Sequence, residues 1–166
     1  MTIMDCIYCT PEWLEESARI YRSTPKLEEL LKRLTSTVFF RVTAEPKWGI
    51  DEDFVFGGTI TKGALDELRY FTKDEVKERA ELILAASPQE WKLLLRKNHK
   101  FITDVMLGKI KIEKGTITAV LAVAPYADGF VEALTQVHLI FQDELTPEQL
   151  NEYREYAAQF RPKLGI

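Results

Sequence analysis

The sequence predicts an α+β domain with helices near both ends of the chain and strands in the middle. Three observations lead to this class. Apolar residues recur at helical spacing near both termini, residues 37–71 alternate between apolar and polar positions, and capping motifs start helices at Ser87 and Thr146. With 166 residues, of which 46% are hydrophobic, the chain is expected to form one domain spanning residues 1–166.

The N-terminal part predicts two amphipathic helices. Thr10 is a suitable cap and Pro11 a suitable first residue for a helix. One face of that helix carries Trp13, Leu14, Ser17, Ala18 and Tyr21. After a break at residues 23–25, a second helix presents a stripe of leucines at Leu27, Leu30, Leu31 and Leu34.

The middle of the chain predicts strands at residues 37–44, 53–62, 64–71 and 81–86. The third of these is the weakest, because Leu65 and Leu68 also fit a helical turn. Residues 45–49 read as a turn, and Gly63 offers a tight connection between strands. The pair Gly57-Gly58 indicates a bulge or a close approach of backbone to a ligand.

Helices and a strand follow residue 86. Ser87 and Glu90 form a capping box, in which each side chain is expected to bond the other residue's amide. A helix from Phe101 is predicted to end at Gly108, before a strand around residues 110–112. The segment after Gly115 fits either a helix or the returning strand of a hairpin, and local pattern slightly favours the hairpin.

Composition and motifs exclude several functions. A net charge of -4 and a pI near 5.4 disfavour nucleic-acid binding. The sequence contains no run of about 18 apolar residues, so no membrane span is predicted. The first ten residues lack the Lys or Arg with which a signal peptide begins, so the cytoplasm is the expected location. Cys6 and Cys9 lack the further ligands of a zinc site, so no metal or cofactor is expected. Neither His99 nor His138 has a readable nucleophile beside it, so we expect no enzyme activity.

Residues 87–115 resemble the sterol carrier protein 2 family. The resemblance lies in the capped helix from Ser87 and in the run Gly108-Lys109-Ile110-Lys111-Ile112, followed by Gly115. The order of elements extends it to about residues 25–135. It implies a five-stranded mixed sheet covered on one face by helices, with an apolar tunnel between them. It also implies that the segment after Gly115 is a helix, and that the ligand is a sterol, fatty acyl, acyl-CoA or isoprenoid chain.

These expectations define a candidate lipid site made of sheet residues, helix residues and a lid. The nearby lysines at positions 92, 97, 100, 109 and 111, with Arg96, could meet an anionic headgroup or form an ordinary solvated face. A non-catalytic accessory subunit with a filled core is the alternative function. Transient membrane contact and a homodimer stay open. The predicted ligand-binding residues are Phe40, Phe54, Phe56, Ile60, Trp91, Leu94, Phe101, Ile102, Val105, Met106, Ile117, Val120, Leu121 and Phe130.

Overall fold

Two β-sheets organise residues 5–166, the part of the chain described by a computed structural model. The larger sheet has the strand order β4-β3-β2-β5-β6, with β2 antiparallel to β3 and parallel to β5. The smaller sheet pairs β1 with β7 in parallel. The strands are β1 (Asp5–Ile7), β2 (Ser36–Val42), β3 (Phe54–Thr61), β4 (Ala64–Tyr70), β5 (Ile83–Ala86), β6 (Lys111–Lys114) and β7 (His138–Ile140).

Eight helices accompany these strands within the described residues, and the predicted α+β class with a five-stranded mixed sheet is confirmed. Short 3-10 turns lie at Pro46–Trp48, Ala124–Tyr126 and Gln142–Glu144. The helices are α1 (Pro11–Arg22), α2 (Pro25–Leu30), α3 (Lys73–Arg79), α4 (Pro88–Leu95), α5 (Phe101–Met106), α6 (Ile117–Val123), α7 (Ala127–Leu134) and α8 (Pro147–Leu164).

The segment after Gly115 is helix α6, so the hairpin alternative is wrong. Gly115 has a φ of 110°, a conformation that turns the chain out of β6. The Thr116 side chain then accepts a hydrogen bond from the amide of Ala119 at 3.1 Å and starts the helix. The Thr116 cap and the burial of Val120 therefore stabilise the helix more than local strand propensity favours a strand.

Helix α1 begins as predicted, with the Thr10 side chain accepting a hydrogen bond from the amide of Trp13. Its predicted apolar face is buried. Helix α2 is shorter than predicted, because Leu31 leaves helical geometry and caps it. As a result Leu30 is half exposed, while Leu31 and Leu34 are buried below it.

The capping box predicted at the start of α4 forms only by half. The Ser87 hydroxyl accepts a hydrogen bond from the amide of Glu90 at 3.2 Å. The Glu90 carboxylate does not return this bond. It lies 3.0 Å from Nδ1 of His99 instead. The box at Thr146 and Gln149 is complete, so α8 begins where the sequence predicts.

The second face of the large sheet carries its own small core, which the pattern of residues 37–44 did not predict. Phe39 points away from the main core and packs on Phe71, with ring centroids 4.4 Å apart. Helix α3 covers this cluster through Val76. Its start is a complete capping box between Thr72 and Glu75, a motif that is visible in the sequence. The helices thus cover more than one face.

Glu75 is expected to make stability depend on acid pH. Hydrogen bonds from Arg69 lower its pKa to about 2, so its contribution is full above pH 4.5 and is lost as pH falls towards 2. Because the pair is partly exposed, Glu75→Gln should cost only about 1 kcal/mol at pH 7. Urea unfolding at pH 7 and pH 3 checks this. The difference in stability between the two proteins should narrow at pH 3, where part of the contribution of Glu75 is already lost, and an unchanged difference would contradict the assignment.

Gly57 lies where no side chain fits. A Cβ built there would lie 2.2 Å from the carbonyl oxygen of Val38 in the neighbouring strand. The close approach indicated by the Gly57-Gly58 pair is thus between the backbones of β3 and β2. Gly57→Ala is expected to destabilise the fold by about 3 kcal/mol in urea unfolding, because the sheet must separate. Gly108→Ala is the matched variant, because a Cβ at Gly108 would meet open space. Its cost should be roughly 1 kcal/mol and should come from the left-handed φ of 75° alone. Equal losses would contradict this account.

The turn between β1 and α1 is anchored by buried side chains from distant elements. Tyr153 donates a hydrogen bond to the carbonyl of Cys9 at 2.9 Å, and Tyr70 donates one to the carbonyl of Thr10 at 2.9 Å. Cys6 and Cys9 are free and buried. Burial raises the pKa of both thiols, so they are neutral core groups.

Candidate ligand site

Two small apolar cavities lie between the large sheet and helix α7. Each has a volume of about 40 Å³. They share the wall formed by Val38, Phe40, Phe56, Phe130 and Leu134. The first is completed by Tyr8, Leu84, Trp91, Leu94, Leu95, Phe101, Val123, Ala127 and Val131, and the second by Ser17, Tyr21, Ser36, Gly58, Ile60, Leu65, Leu68 and Ala133.

Aromatic rings form the shared wall. Phe40 and Phe56 are direct partners across β2 and β3, with ring centroids 5.3 Å apart. Phe130 of α7 lies edge-on against Phe40 at 6.3 Å, and Trp91 of α4 does so at 5.7 Å. The resemblance implies one continuous tunnel here. In residues 5–166 these rings instead divide the space into two compartments.

One polar group in the wall of the second cavity has no partner. The hydroxyl of Ser17 is fully buried and, among the described residues, makes no hydrogen bond. The neighbouring hydroxyl of Tyr21 is satisfied, since it donates to the carbonyl of Gly63 at 2.6 Å. A buried hydroxyl without a partner is unfavourable by roughly 1–3 kcal/mol, so this end of the space is suited to a ligand polar group or a water.

A polar vestibule of about 300 Å³ opens next to the first cavity. The two share Leu94, Phe101, Ala127 and Val131, so a single layer of apolar side chains separates them. The vestibule is also lined by Lys97, His99, Lys100, Asp128 and Glu132. An ion pair between Lys97 and Glu132 crosses it from the end of α4 to α7.

The other predicted headgroup cations lie outside the vestibule. Lys92 pairs with Asp143 at 2.9 Å, and Arg96 pairs with Glu144 at 2.8 Å. Both cations also lie over the ring of Phe141, so they fix the turn before α8. Lys109 and Lys111 are exposed and lie outside the walls of the vestibule.

Seven of the fourteen predicted ligand-binding residues line the two cavities. Phe54 instead stacks on Phe160 of α8, and Val105 and Val120 are buried elsewhere in the core. The cavity-lining seven are Phe40, Phe56, Ile60, Trp91, Leu94, Phe101 and Phe130. Four others, namely Ile102, Met106, Ile117 and Leu121, are at least one-third exposed, with Met106 at 72%.

The wall residues that were not predicted include four from α7 and two from α1. Ala127, Val131 and Leu134 recur at helical spacing, which would have revealed the inner face of α7 had that helix been predicted. Ser17 was predicted on the inner face of α1, but nothing local placed that face against a cavity. Tyr8 reaches the first cavity only because β1 pairs with β7, a contact between residues more than 130 positions apart.

The segment over the cavities is unusually apolar and exposed. Residues Ile117–Leu134 have the length and mean hydropathy, 1.4, of a membrane-spanning helix, by length and composition only. Only 22% of this segment is buried. As expected, no unbroken run of 18 apolar residues occurs here, because Pro125, Asp128 and Glu132 interrupt it; the mean hydropathy of the window nevertheless stays high.

The two histidines lie against carboxylates. His138 is exposed, and its Nδ1 lies 2.8 Å from Asp5. His99 lies between Glu90 and Asp104, each with an oxygen 3.0 Å from Nδ1. The Glu90 carboxylate raises the pKa of His99, with Asp104 adding to it, and burial raises the pKa of Glu90.

Comparison with solved structures places this arrangement among known folds. A crystal structure of sterol carrier protein 2 superposes with a TM-score of 0.61 at 20% identity, covering 78% of this chain and 95% of the other. The chain has the sterol carrier protein 2 fold. The solution structure of a conserved hypothetical protein from Thermus thermophilus, described as a possible sterol carrier protein, gives a TM-score of 0.66 at 19% identity, covering 79% and 90%. No family model and no curated protein matches the sequence.

The sterol carrier protein 2 fold agrees with the resemblance at residues 87–115. The five-stranded mixed sheet and the helix after Gly115 are both as the resemblance implied. At these identities the likeness establishes the fold, so function has to be argued from the cavities and the vestibule themselves.

Proposed function

We propose that this protein binds a single-chain amphiphile with an anionic headgroup, such as a fatty acid or another acyl chain. The observation that carries this proposal is the apolar cavity that shares one layer of residues with a lysine-bearing vestibule. A chain would lie under α7 and its headgroup would lie near Lys97 and Lys100. Convergence of apolar walls with a few polar groups at one end is typical of ligand sites.

The site would have to expand to admit a chain. Two cavities of about 40 Å³ are far below the roughly 300 Å³ of a small ligand pocket. Half-buried Phe130 separates them, and the α6–α7 segment that carries it is mostly exposed. Outward movement of this segment would join the cavities. Each buried methylene would then contribute about 0.8 kcal/mol.

The proposed contacts follow from this path. Phe101 and Leu94 would contact the chain first, followed by Trp91 and Phe40, and Ile60 lies at the far end beside Ser17. Two compartments in series suit a linear acyl or isoprenoid chain better than the rigid rings of a sterol. The role is that of a non-catalytic carrier, and the cytoplasmic location remains a prediction.

The alternative is an accessory subunit whose interior holds no ligand. The small volume of the cavities favours it, since side chains already fill most of the space under α7. Such a protein would act through its surface and would be indifferent to lipids.

Native mass spectrometry distinguishes the two functions. The full chain, stripped of lipid and incubated with palmitate, should show a one-to-one adduct that palmitate's short analogue butyrate fails to form. A fluorescent fatty acid should be displaced by palmitate with a micromolar Kd. Absence of both the adduct and the displacement would favour the accessory subunit and overturn the carrier.

Delivery from membranes is expected to depend on the exposed face of α6. Ile117 and Leu121 are 48% and 55% exposed and would enter the lipid interface. Replacing both with Asn should slow fatty-acid transfer between vesicles about tenfold and leave the equilibrium Kd unchanged, because the cavity is intact. Leu164→Asn, at an exposed leucine of α8, is the control. Equal transfer rates for both variants would contradict the role of α6.

A further inference from the structure

The cluster Glu90, His99 and Asp104 concentrates metal-ligating groups at the edge of the vestibule, which His99 also lines. One carboxylate oxygen from each acid lies 3.0 Å from Nδ1 of His99, and the three ligand atoms lie within 4.8 Å of one another. They come from α4, from the loop that follows it and from α5. These elements hold the three groups together without any metal bound.

The charges of the cluster are poorly balanced. The side chain of Asp104 is only 3% exposed and that of Glu90 only 12%. In residues 5–166 the ion pairs of both acids are with His99 alone. A single Nδ1 proton thus serves two buried carboxylates. Buried charge is unfavourable unless it is paired, so the site would be stabilised by a cation with more than one positive charge.

The missing capping bond of Glu90 is a separate observation that supports a binding site at this cluster. This residue stands at the third position of α4, where a carboxylate normally bonds back to the capping residue. Here the Ser87 side chain makes its half of the box, while Glu90 turns towards His99. A capping bond that the sequence allows is therefore given up for the cluster.

We propose that Glu90, His99 and Asp104 form a binding site for a divalent transition metal, with Zn²⁺ as the best fit. Zn²⁺ binds both imidazole nitrogen and carboxylate oxygen, and three protein ligands with a water in the fourth position are typical of its open sites. Binding replaces the Nδ1 proton of His99 by the metal and releases that proton to solvent. Because His99 also lines the vestibule, water can reach the ion and complete its coordination.

The test uses the full chain freed of metal and titrated with Zn²⁺ in a calorimeter. One site per chain is expected. Asp104→Asn and His99→Gln should each weaken binding by at least the roughly 10- to 100-fold that loss of a supporting partner costs at metal sites. His138→Gln, at the exposed histidine beside Asp5, should bind as the natural chain does.

Two further measurements separate this site from binding at the cysteines. Co²⁺ should give visible absorption without the thiolate charge-transfer band that Cys6 and Cys9 would produce, and the double variant Cys6→Ser, Cys9→Ser should still bind. If Asp104→Asn fails to fold, His99→Gln is used alone, because His99 is partly exposed and its replacement should be tolerated. No saturable binding, binding that survives His99→Gln, or binding lost with the cysteines would overturn the proposal. None of these results depends on whether the protein binds lipid.

Discussion

Ala127→Phe is expected to lower the affinity for a fatty acid about fiftyfold. Ala127 lies in the single layer that separates the vestibule from the first cavity. A benzyl group there would fill the path of the chain and exclude about three methylenes. At about 0.8 kcal/mol each, their loss removes roughly 2.4 kcal/mol of binding free energy. Displacement of a fluorescent fatty acid measures the change.

The control for this variant is Ala158→Phe, which adds the same group to the exposed face of α8. It should bind as the natural chain does. Since overpacking can cost about 1–3 kcal/mol of stability, both variants are first checked by thermal unfolding. Ala127→Leu supplies a smaller plug if the larger one unfolds, and should give an intermediate affinity. Unchanged affinity in folded Ala127 variants would place the ligand elsewhere.

Trp13→Ala is expected to reduce the free energy of unfolding by about 4 kcal/mol. The Trp13 side chain is fully buried. Its ring centroid lies 4.9 Å from that of Tyr8 and 5.1 Å from that of Phe56. Truncation of a buried tryptophan typically costs about 3–5 kcal/mol through the cavity that it leaves. Its Nε1 also donates to the carbonyl of Leu134 at 2.9 Å, which would lose its partner.

Urea unfolding of three proteins separates these two contributions. Trp13→Phe keeps a ring but removes the hydrogen bond to the end of α7, so it should cost about half as much as Trp13→Ala. The matched control is Trp48→Phe, in the 3-10 turn outside the cavity walls. A loss below about 1 kcal/mol for Trp13→Ala would show that α1 is not essential to the core.

The sequence was sufficient where structure is decided locally. Thr10, Thr146 and Gly63 placed a helix start, a second helix start and a strand connection from their own chemistry. Helix α3 could also have been predicted, since Thr72 and Glu75 form a recognisable box. For the segment after Gly115, local propensity pointed towards the hairpin, and only the resemblance to sterol carrier protein 2 favoured the helix.

The candidate site was harder to predict because orientation depends on distant partners. Ile102 and Met106 fit the same helical stripe as Phe101 and Val105, yet α5 is short and turns them to solvent. Phe54 alternates correctly with Phe56, but α8 covers that end of the sheet and takes Phe54 into its own contact. Hydrophobic period therefore identifies core residues more reliably than it identifies cavity walls.

A nuclear Overhauser measurement on the protein bound to ¹³C-labelled palmitate tests the central claim most directly. The ligand methylene protons should contact the ring protons of Phe40, Phe56 and Phe130, which together divide the two cavities in the free protein. Contacts confined to exposed residues such as Met106 or Leu121, or no contacts at saturating palmitate, would contradict binding beneath α7.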